Sequence, residues 1–365
     1  MSAKYFLINN NPPHSGVGRY AYSLFKALYT VLKGEVQFVS WDRQLFDRSY
    51  NTLSYFHLNW LYYVLKLRLL SRRLSLKDVS LVHVANAGYL ASIIPSIKKR
   101  NRRVVLTVHD VIPENLRDSF SHRMAGKAIT NASLADYIVC VSENVRKNLP
   151  TVLGANLERI TTVHYGVDHS LFKPRDKTWA RRKLNLPTNM PIILNVGSEE
   201  PRKNIPILIK AFYEIIKDIP NAILVRVGPR TARVSKIITA LGLDGRIYYR
   251  RASDREVALY YNAADLLVHP AYHEDFGMTI LEAMASGCPV IASNRTAIPE
   301  VIGNAGILLD PYDFGYLAYW MCEVLTNEDL RAKLSEAGYK RSLSFSWEKC
   351  AKETLEVYRE VLNEF

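Results

Sequence analysis

The 365-residue chain has four cysteines, Cys140, Cys288, Cys322 and Cys350, spaced so widely that no Cys-x-x-Cys occurs. That excludes a disulfide scaffold and a cysteine zinc cluster, and it leads us to expect reduced thiols in a cytoplasmic protein. Long apolar runs are also missing. The charge-free stretch 79–97 has the length of a bilayer span, but it carries His83, Asn86, Gly88 and Pro95 and reads as strand, turn and helix. No basic segment followed by a long apolar one precedes residues 5–8, so no secretion signal is expected. Repeats of 20 to 50 residues are not apparent, which argues against a solenoid. His269 and His273 have i, i+4 spacing, but Pro270 between them argues against a shared helix face and hence against a zinc pair.

Acidic residues are scarce relative to basic ones: 35 Asp and Glu face 48 Lys and Arg, a net charge of +13. The excess is uneven. Residues 1–171 hold 22 basic and 11 acidic side chains, a net +11, whereas 172–365 hold 26 and 24, a net +2. An anionic partner for the first half is therefore expected. Nucleic acid is not, because no zinc finger, basic zipper or aromatic RNA-binding motif accompanies the charge.

A composition of 48% hydrophobic and 23% charged residues is that of a globular protein, and at about 150 residues per domain the length points to two domains. Apolar runs of strand length alternate with segments of helical period. The strand candidates are 5–9, 36–40, 81–85, 104–109, 137–142 and 160–164, then 192–196, 222–227, 246–249, 266–269, 290–293 and 306–309. This alternation predicts βα units around parallel sheets, one doubly wound sheet per half. Three prolines, Pro174, Pro187 and Pro191, in the basic stretch 173–191 mark the best boundary, giving domains 1–171 and 172–345. A final helix over 346–365 opens on Ser346 and puts Trp347, Cys350, Leu355, Tyr358 and Leu362 on one face.

Open α/β sheets bind ligands beyond the carboxyl ends of their strands, so residues just after strands carry the interest. After the first strand comes Ser15-Gly16-Val17-Gly18-Arg19, where glycines before a helix let backbone amides approach a phosphate. A plain structural turn would read the same way. After the strand at 192–196 comes Gly197-Ser198-Glu199-Glu200-Pro201-Arg202-Lys203-Asn204, then a core stripe of helical spacing. Cations at a helix N-terminus cost roughly 0.3 to 1 kcal/mol, so an anion held by Arg202 and Lys203 explains them better than stability does.

The strongest signal is His273-Glu274-Asp275-Phe276-Gly277-Met278-Thr279, running on through Glu282. Two glutamates stand eight positions apart around a glycine and a helix start. Carboxylates suit sugar hydroxyls, whereas the amides of Gly277, Met278 and Thr279, with Arg202 and Lys203, suit phosphates. A retaining hydrolase would need two carboxylates about 5 to 5.5 Å apart across one bond, and the pair reads better as hydroxyl ligands.

The segment from Glu274 to Glu282 resembles the E-x7-E motif of retaining GT-B nucleotide-sugar glycosyltransferases, specifically glycosyltransferase family 4. The resemblance covers nearly the whole chain: Gly16-Val17-Gly18-Arg19-Tyr20, Val108-His109-Asp110, Val141-Ser142-Glu143, Tyr165-Gly166-Val167-Asp168, Val196-Gly197, Pro201-Arg202-Lys203-Asn204, Ala263-Ala264-Asp265 and Ser346-Trp347 occur in the family's order. It implies a GT-B fold: two facing Rossmann-like doubly wound domains, an N-terminal acceptor domain and a C-terminal donor domain, with the last helix crossing back to the first.

The resemblance further implies that Arg202 and Lys203 hold a diphosphate, that Glu282 binds ribose hydroxyls, and that Glu274 contacts the donor sugar with Phe276, Gly277, Met278 and Thr279. Gly197 lines the same site. Gly16 would approach the diphosphate from the other domain, and His109 would sit beside the sugar as a contact and not as a general base. The nucleobase would lie near Arg251 and Ala252, where Tyr248-Tyr249-Arg250-Arg251 replaces the family's glycine-containing turn. The implied reaction is hexose transfer with retention to a hydroxyl acceptor, leaning towards mannose from GDP-mannose. No cofactor or metal is expected. Fixed cations replace the metal, and the Asp-x-Asp of the other large glycosyltransferase architecture is absent. Sugar-nucleotide epimerases and disaccharide synthases or phosphorylases share this architecture and stay open as alternatives, as does a catalytically silent membrane- or partner-binding relative.

Two basic segments remain in the first half. Residues 58–77 interleave Trp60, Tyr62, Tyr63 and leucines with Lys66, Arg68, Arg72, Arg73 and Lys77, and 98–103 holds five cations around Asn101. An aromatic, leucine-rich basic helix can lie on an anionic membrane. A lipid-linked or otherwise anionic acceptor, and peripheral contact with the inner face of the cell membrane, are the matching expectations. A core helix with a solvated basic face reads the same way.

Overall fold

A computed structural model describes residues 4–11, 15–40, 76–87, 89–111, 129–153 and 158–363. Most of the aromatic basic segment, residues 58–75, lies outside the described residues, and so does its membrane reading. The chain forms two compact units: Met1–Gly166 with Trp347–Phe365, and Val167–Ser346.

In the first unit six parallel strands, β1 (Tyr5–Asn9), β2 (Val36–Ser40), β3 (Leu81–Val84), β4 (Arg103–Val108), β5 (Tyr137–Cys140) and β6 (Ile160–Thr162), lie in the order β2-β1-β3-β4-β5-β6. The second unit holds β7 (Ile192–Val196), β8 (Ile223–Val227), β9 (Ile247–Arg250), β10 (Leu266–His269), β11 (Val290–Ser293) and β12 (Ile307–Leu309), in the order β12-β11-β10-β7-β8-β9. All twelve expected strands form, with ends shifted by at most two residues. Parallel sheets covered on both faces call for continuous apolar strands, and β3, β5, β8, β10 and β11 are buried along their whole length.

The strand order reverses beside β1 in the first sheet and beside β7 in the second. Such switch points open a crevice at the carboxyl ends of the two diverging strands. In the second unit those strands are β7 and β10, which pair in parallel at Leu266 with Ile193.

Both units use the same device to fix a strand. Asp136, just before β5, accepts from the backbone amide of Val104 in the neighbouring strand at 2.7 Å. Asp265, just before β10, does the same for Ile192 at 2.8 Å. Each carboxylate is paired: Asp136 with Lys98 and Arg103, Asp265 with Lys177 and Arg181. These partners offset the burial that would raise the two carboxyl pKa values, and the net shift is downward. Lys98 and Arg103, of the five cations at 98–103, are thus committed to Asp136, and Arg102 donates to the Lys77 carbonyl at 3.1 Å. The proline-bearing stretch 173–191 is likewise structured, since the Lys177–Lys183 helix inserts Arg181, which donates to the Ala263 carbonyl at 2.9 Å.

The Trp347–Asn363 helix packs on the Gly16–Val31 helix, β4 and β5 of the first unit. It buries Trp347, Cys350, Leu355, Tyr358 and Val361, while Leu362 is half-buried, so the apolar stripe drifts by one position at its end. Tyr358 meets Nδ1 of His83 at 2.7 Å, and His83 Nε2 meets the Thr107 hydroxyl at 2.7 Å. This ties the end of the chain to the middle of the sheet. Burial, helped by the neighbouring His109, pushes the His83 pKa down to about 3, so the ring is neutral. Among the described residues no helix is long and apolar enough to cross a membrane.

Candidate functional site

Because β7 and β10 are neighbours, the loops that follow them meet, although they are 71 residues apart in sequence. After β7 the Pro201–Lys203 turn ends at Asn204, whose left-handed backbone (φ 54°) turns the chain into the Ile205–Asp218 helix. Lys203 contacts the Glu274 carboxylate through Nζ, and Arg202 Nη1 stands 3.5 Å from the other oxygen. Arg202 also donates to Glu200 at 2.7 Å and to the His273 carbonyl at 3.3 Å. His269, the last residue of β10, donates from Nε2 to Glu274 Oε1 at 2.7 Å. The Thr296 hydroxyl accepts from the Glu274 amide at 3.0 Å.

Glu274 is 8% exposed. Burial alone would raise its pKa, but Lys203, His269 and Arg202 together hold it well below the usual carboxylate range. His269 is pushed down by burial despite its carboxylate partner, so its imidazole is neutral and its Nε2–H is the donor. Arg202 is pushed up, its carboxylate neighbours Glu274 and Glu200 outweighing burial. The result is an ionised carboxylate held by a neutral donor and two cations.

The chain then turns at Gly277 (φ 105°) into the Met278–Ala285 helix. A Cβ there would adopt a disfavoured backbone and stand 3.3 Å from the Ile280 side chain. No side chain caps this helix, whose first-turn amides have no intrahelical acceptor. Phe276 is buried against Phe345, while Met278 and Thr279 are half-exposed at the helix start. Glu282 is 1% exposed and accepts from the Tyr261 hydroxyl at 3.0 Å. It is therefore not a solvated surface glutamate.

A second buried group joins the loops after β7 and β8 to the strand β9. Glu199 accepts from the Tyr249 hydroxyl at 2.6 Å and from the amide and hydroxyl of Thr231 at 2.7 and 2.6 Å. Arg226, fully buried in β8, stands 3.7 Å from Glu199 and donates to the Gly197 carbonyl at 3.1 Å. A side chain at Gly228 would meet the Gly197 carbonyl oxygen at 2.1 Å, so the loop after β8 can approach the loop after β7 only with a glycine at 228. Arg251 and Ala252 follow β9 at the sheet edge. Arg251 is exposed, and no hydrogen bond or ion pair joins either residue to Arg202, Lys203 or Glu274. Tyr249 lies within β9 and reaches Glu199 through its hydroxyl, so the expected departure at 248–251 is largely strand. Tyr261 and Arg226 did not stand out in sequence, since their partners lie 21 or more residues away, and His269 was read only for zinc spacing.

The other two expected residues belong to the first unit. Gly16 opens the Gly16–Val31 helix, capped by Ser15, whose hydroxyl accepts from the Gly18 amide at 3.0 Å, and a Cβ at Gly16 would meet nothing within 4 Å. His109 follows β4. Its Nε2 donates to the Ala85 carbonyl at 2.5 Å, and its Nδ1 therefore faces the Tyr165 hydroxyl as acceptor. Both nitrogens are engaged and the side chain is 5% exposed, so His109 has no vacant nitrogen with which to take a proton.

Two doubly wound parallel sheets in succession are the elements of a GT-B architecture. The family comparisons agree. Residues 14–171 match the model of Glycosyltransferase Family 4 and residues 176–341 that of Glycosyl transferases group 1, and the chain belongs to this glycosyltransferase family. The D-inositol 3-phosphate glycosyltransferase of Nocardioides sp. is 31% identical over 245 residues, 62% of this chain and 54% of that protein. The chain thus spans little more than half the length of that curated relative. The O-antigen chain mannosyltransferase B of Escherichia coli is 28% identical over 271 residues, 71% of each chain. Among solved structures, sucrose-phosphate synthase from Thermosynechococcus elongatus superposes with a TM-score of 0.78 at 23% identity over the whole of both chains. Anabaena HepE, solved with UDP and glucose, gives 0.76 at 18% identity, covering 98% of this chain and 100% of that one. These likenesses show the fold.

Proposed function

We propose that the protein is a retaining, metal-independent glycosyltransferase that moves a hexose from a nucleoside-diphosphate sugar to a hydroxyl acceptor. The observation that carries this reading is the convergence of Arg202, Lys203, Glu274 and His269 beyond β7 and β10. As the bond between the sugar's anomeric carbon and the diphosphate breaks, negative charge grows on the leaving phosphate. Arg202, Lys203 and the amides at the start of the Met278–Ala285 helix supply fixed positive potential for it, as a metal would elsewhere. Arriving phosphate oxygens compete with Glu274 for both cations. Glu274, still held by His269, then accepts from sugar hydroxyls, and Glu282 accepts from the ribose.

A carboxylate surrounded by three donors is a poor nucleophile. That favours front-face attack, in which the acceptor oxygen bonds to the anomeric carbon, the phosphate leaves on the same side, and the acceptor proton passes to the departing phosphate. Glu199, Tyr249 and the Arg251-Ala252 turn are read as the nucleobase end. The likeness to a mannosyltransferase supports mannose from GDP-mannose as the donor. The likeness to an inositol phosphate glycosyltransferase, with the net +11 of residues 1–171, supports an anionic acceptor, lipid-linked at the inner face of the cell membrane.

Incubation with GDP-, UDP- and ADP-hexoses labelled in the sugar tests this. Label should move to an added acceptor with the α or β configuration of the donor kept, and the rate should survive EDTA. Label that stays on the nucleotide, or transfer that requires free phosphate, would replace this reading with an epimerase or a phosphorylase.

A further inference from the structure

Beyond β12 the chain carries an aromatic strip at the carboxyl edge of the second sheet. Four of the eleven exposed large apolar side chains among the described residues lie within 312–319: Tyr312, Phe314, Tyr316 and Tyr319, from 43% to 69% exposed. Scattered singly they would need no explanation, but they belong to two ring clusters close together in the chain. Tyr312 stacks on Tyr272 with ring centroids 4.9 Å apart. Tyr316 and Tyr319, in the first two turns of the Phe314–Thr326 helix, hold their rings parallel to within 2°, and Trp320 meets them edge-on at 6.2 and 5.5 Å. Tyr312 and Tyr316 are four residues apart, which keeps their Cα atoms within about 14 Å.

The strip begins at the donor loops. Tyr272 follows β10, two residues before Glu274, and its amide donates to the Arg202 carbonyl at 2.8 Å. Asn204, which ends the Arg202-Lys203 turn, donates from its side chain to the Pro311 carbonyl at 2.7 Å. Arg295, after β11, pairs with Asp310 at 3.2 Å, both side chains about half-exposed. Because β7, β10, β11 and β12 are parallel, the loops after them gather rings and hydrogen-bonding groups on one edge. The charge selects the occupant. Between Arg295 and Arg331 there is no lysine or arginine, against six acidic residues that include Asp310, Asp313 and Glu323. That repels anionic lipid headgroups and nucleic acid. A neutral sugar suits it: the C–H face of a pyranose lies flat on an aromatic ring, and its hydroxyls take carboxylate and guanidinium partners.

We propose that Tyr272, Tyr312, Tyr316 and Tyr319 form a saccharide platform that holds uncharged sugar residues of a glycan acceptor. The residues preceding the one that reacts lie on the rings, with Asp310 and Arg295 at the rim. That the bound saccharide is the acceptor rests on the transferase reading above; that a saccharide binds here does not.

Saturation-transfer NMR on the full chain with mannotriose, maltotriose, cellotriose and chitotriose tests the platform. At least one trisaccharide should bind saturably and receive magnetisation mainly at its ring C–H protons. Tyr312→Ala and Tyr319→Ala, both truncations of exposed rings, should each weaken it about tenfold, and Tyr312→Trp should keep it. No binding of any of the four, or binding unchanged in both alanine variants, would overturn the assignment. So would cosedimentation with phosphatidylglycerol vesicles, or a dimer, that is lost when both tyrosines are replaced, since these give the strip to a membrane or to a second copy. In transfer assays Tyr312→Ala should raise KM for the bound trisaccharide and leave kcat unchanged; a trisaccharide that binds but accepts no label refutes the acceptor role. Nucleotide-sugar affinity should be unchanged in Tyr312→Ala, and a tenfold loss would put Tyr312 in the donor site instead. A chain that binds a trisaccharide but no nucleotide sugar would count against the donor site and not against the platform.

Discussion

Nε2 of His269 donates to Oε1 of Glu274 across 2.7 Å, linking the last residue of β10 to the carboxylate that also holds Lys203 and faces Arg202. The imidazole is neutral because it is buried, so it orients Glu274 without adding charge. His269→Ala should lower kcat/KM about tenfold, ~1.4 kcal/mol, with the fold intact. His269→Gln, which keeps an N–H donor, should recover most of that loss in initial-rate measurements. Equal losses in the two variants would take the hydrogen bond out of the account.

Lys203→Ala and Glu282→Ala should each weaken donor binding at least tenfold, about 1.4 kcal/mol, read by calorimetric titration of the nucleotide sugar. The two variants separate by ligand. Lys203→Ala should also weaken the free nucleoside diphosphate, while Glu282→Ala should weaken a nucleoside as well, since it acts at the ribose. Unchanged titrations in both would refute the site.

Gly228→Ala should destabilise the second unit by about 3 kcal/mol or more, because the new methyl group would overlap the Gly197 carbonyl oxygen in a left-handed backbone at φ 151°. The fall in urea midpoint measures it. Gly16→Ala meets no such contact and should leave the midpoint unchanged.

Acid sensitivity should reside partly in His83. Its folded pKa of about 3 lies below the unfolded value near 6.5, so between these values the unfolded chain binds the extra proton. The associated stability is complete above pH 6.5 and falls as pH drops towards 3, approaching ~1.4 kcal/mol per pH unit. His83→Asn should start less stable, since it disturbs the links to Tyr358 and Thr107, but should lose less between pH 6.5 and 4.5 than the wild type. Urea melts at the two pH values test this, and parallel losses would exclude His83.

Much of the site was legible because its chemistry is local. The Glu274 to Glu282 spacing follows from one turn and one helix, and Arg202-Lys203 from a loop after an apolar strand. His269 was read only for zinc spacing, since its partner is a bend away and Pro270 hides the geometry. Tyr261 looked like any core tyrosine, and Glu199 like its neighbour Glu200. The basic cluster at 98–103 looked wholly available, yet Lys98 and Arg103 are bound to Asp136, which lies over 30 residues on.

The sequence by itself determined the twelve strands, their parallel character and the identity of the charged residues after β7 and β10, because apolar runs and helical periods are local and repeat along the chain. Tertiary structure alone decided which charges meet. Strand order sets β10 against β7, so Glu274 closes on Lys203 and Arg202. It also decided that His109 has both ring nitrogens occupied and that the last helix ends in a hydrogen bond to His83. Contacts between residues far apart in the chain depend on how the sheet is wound, and no local pattern encodes that.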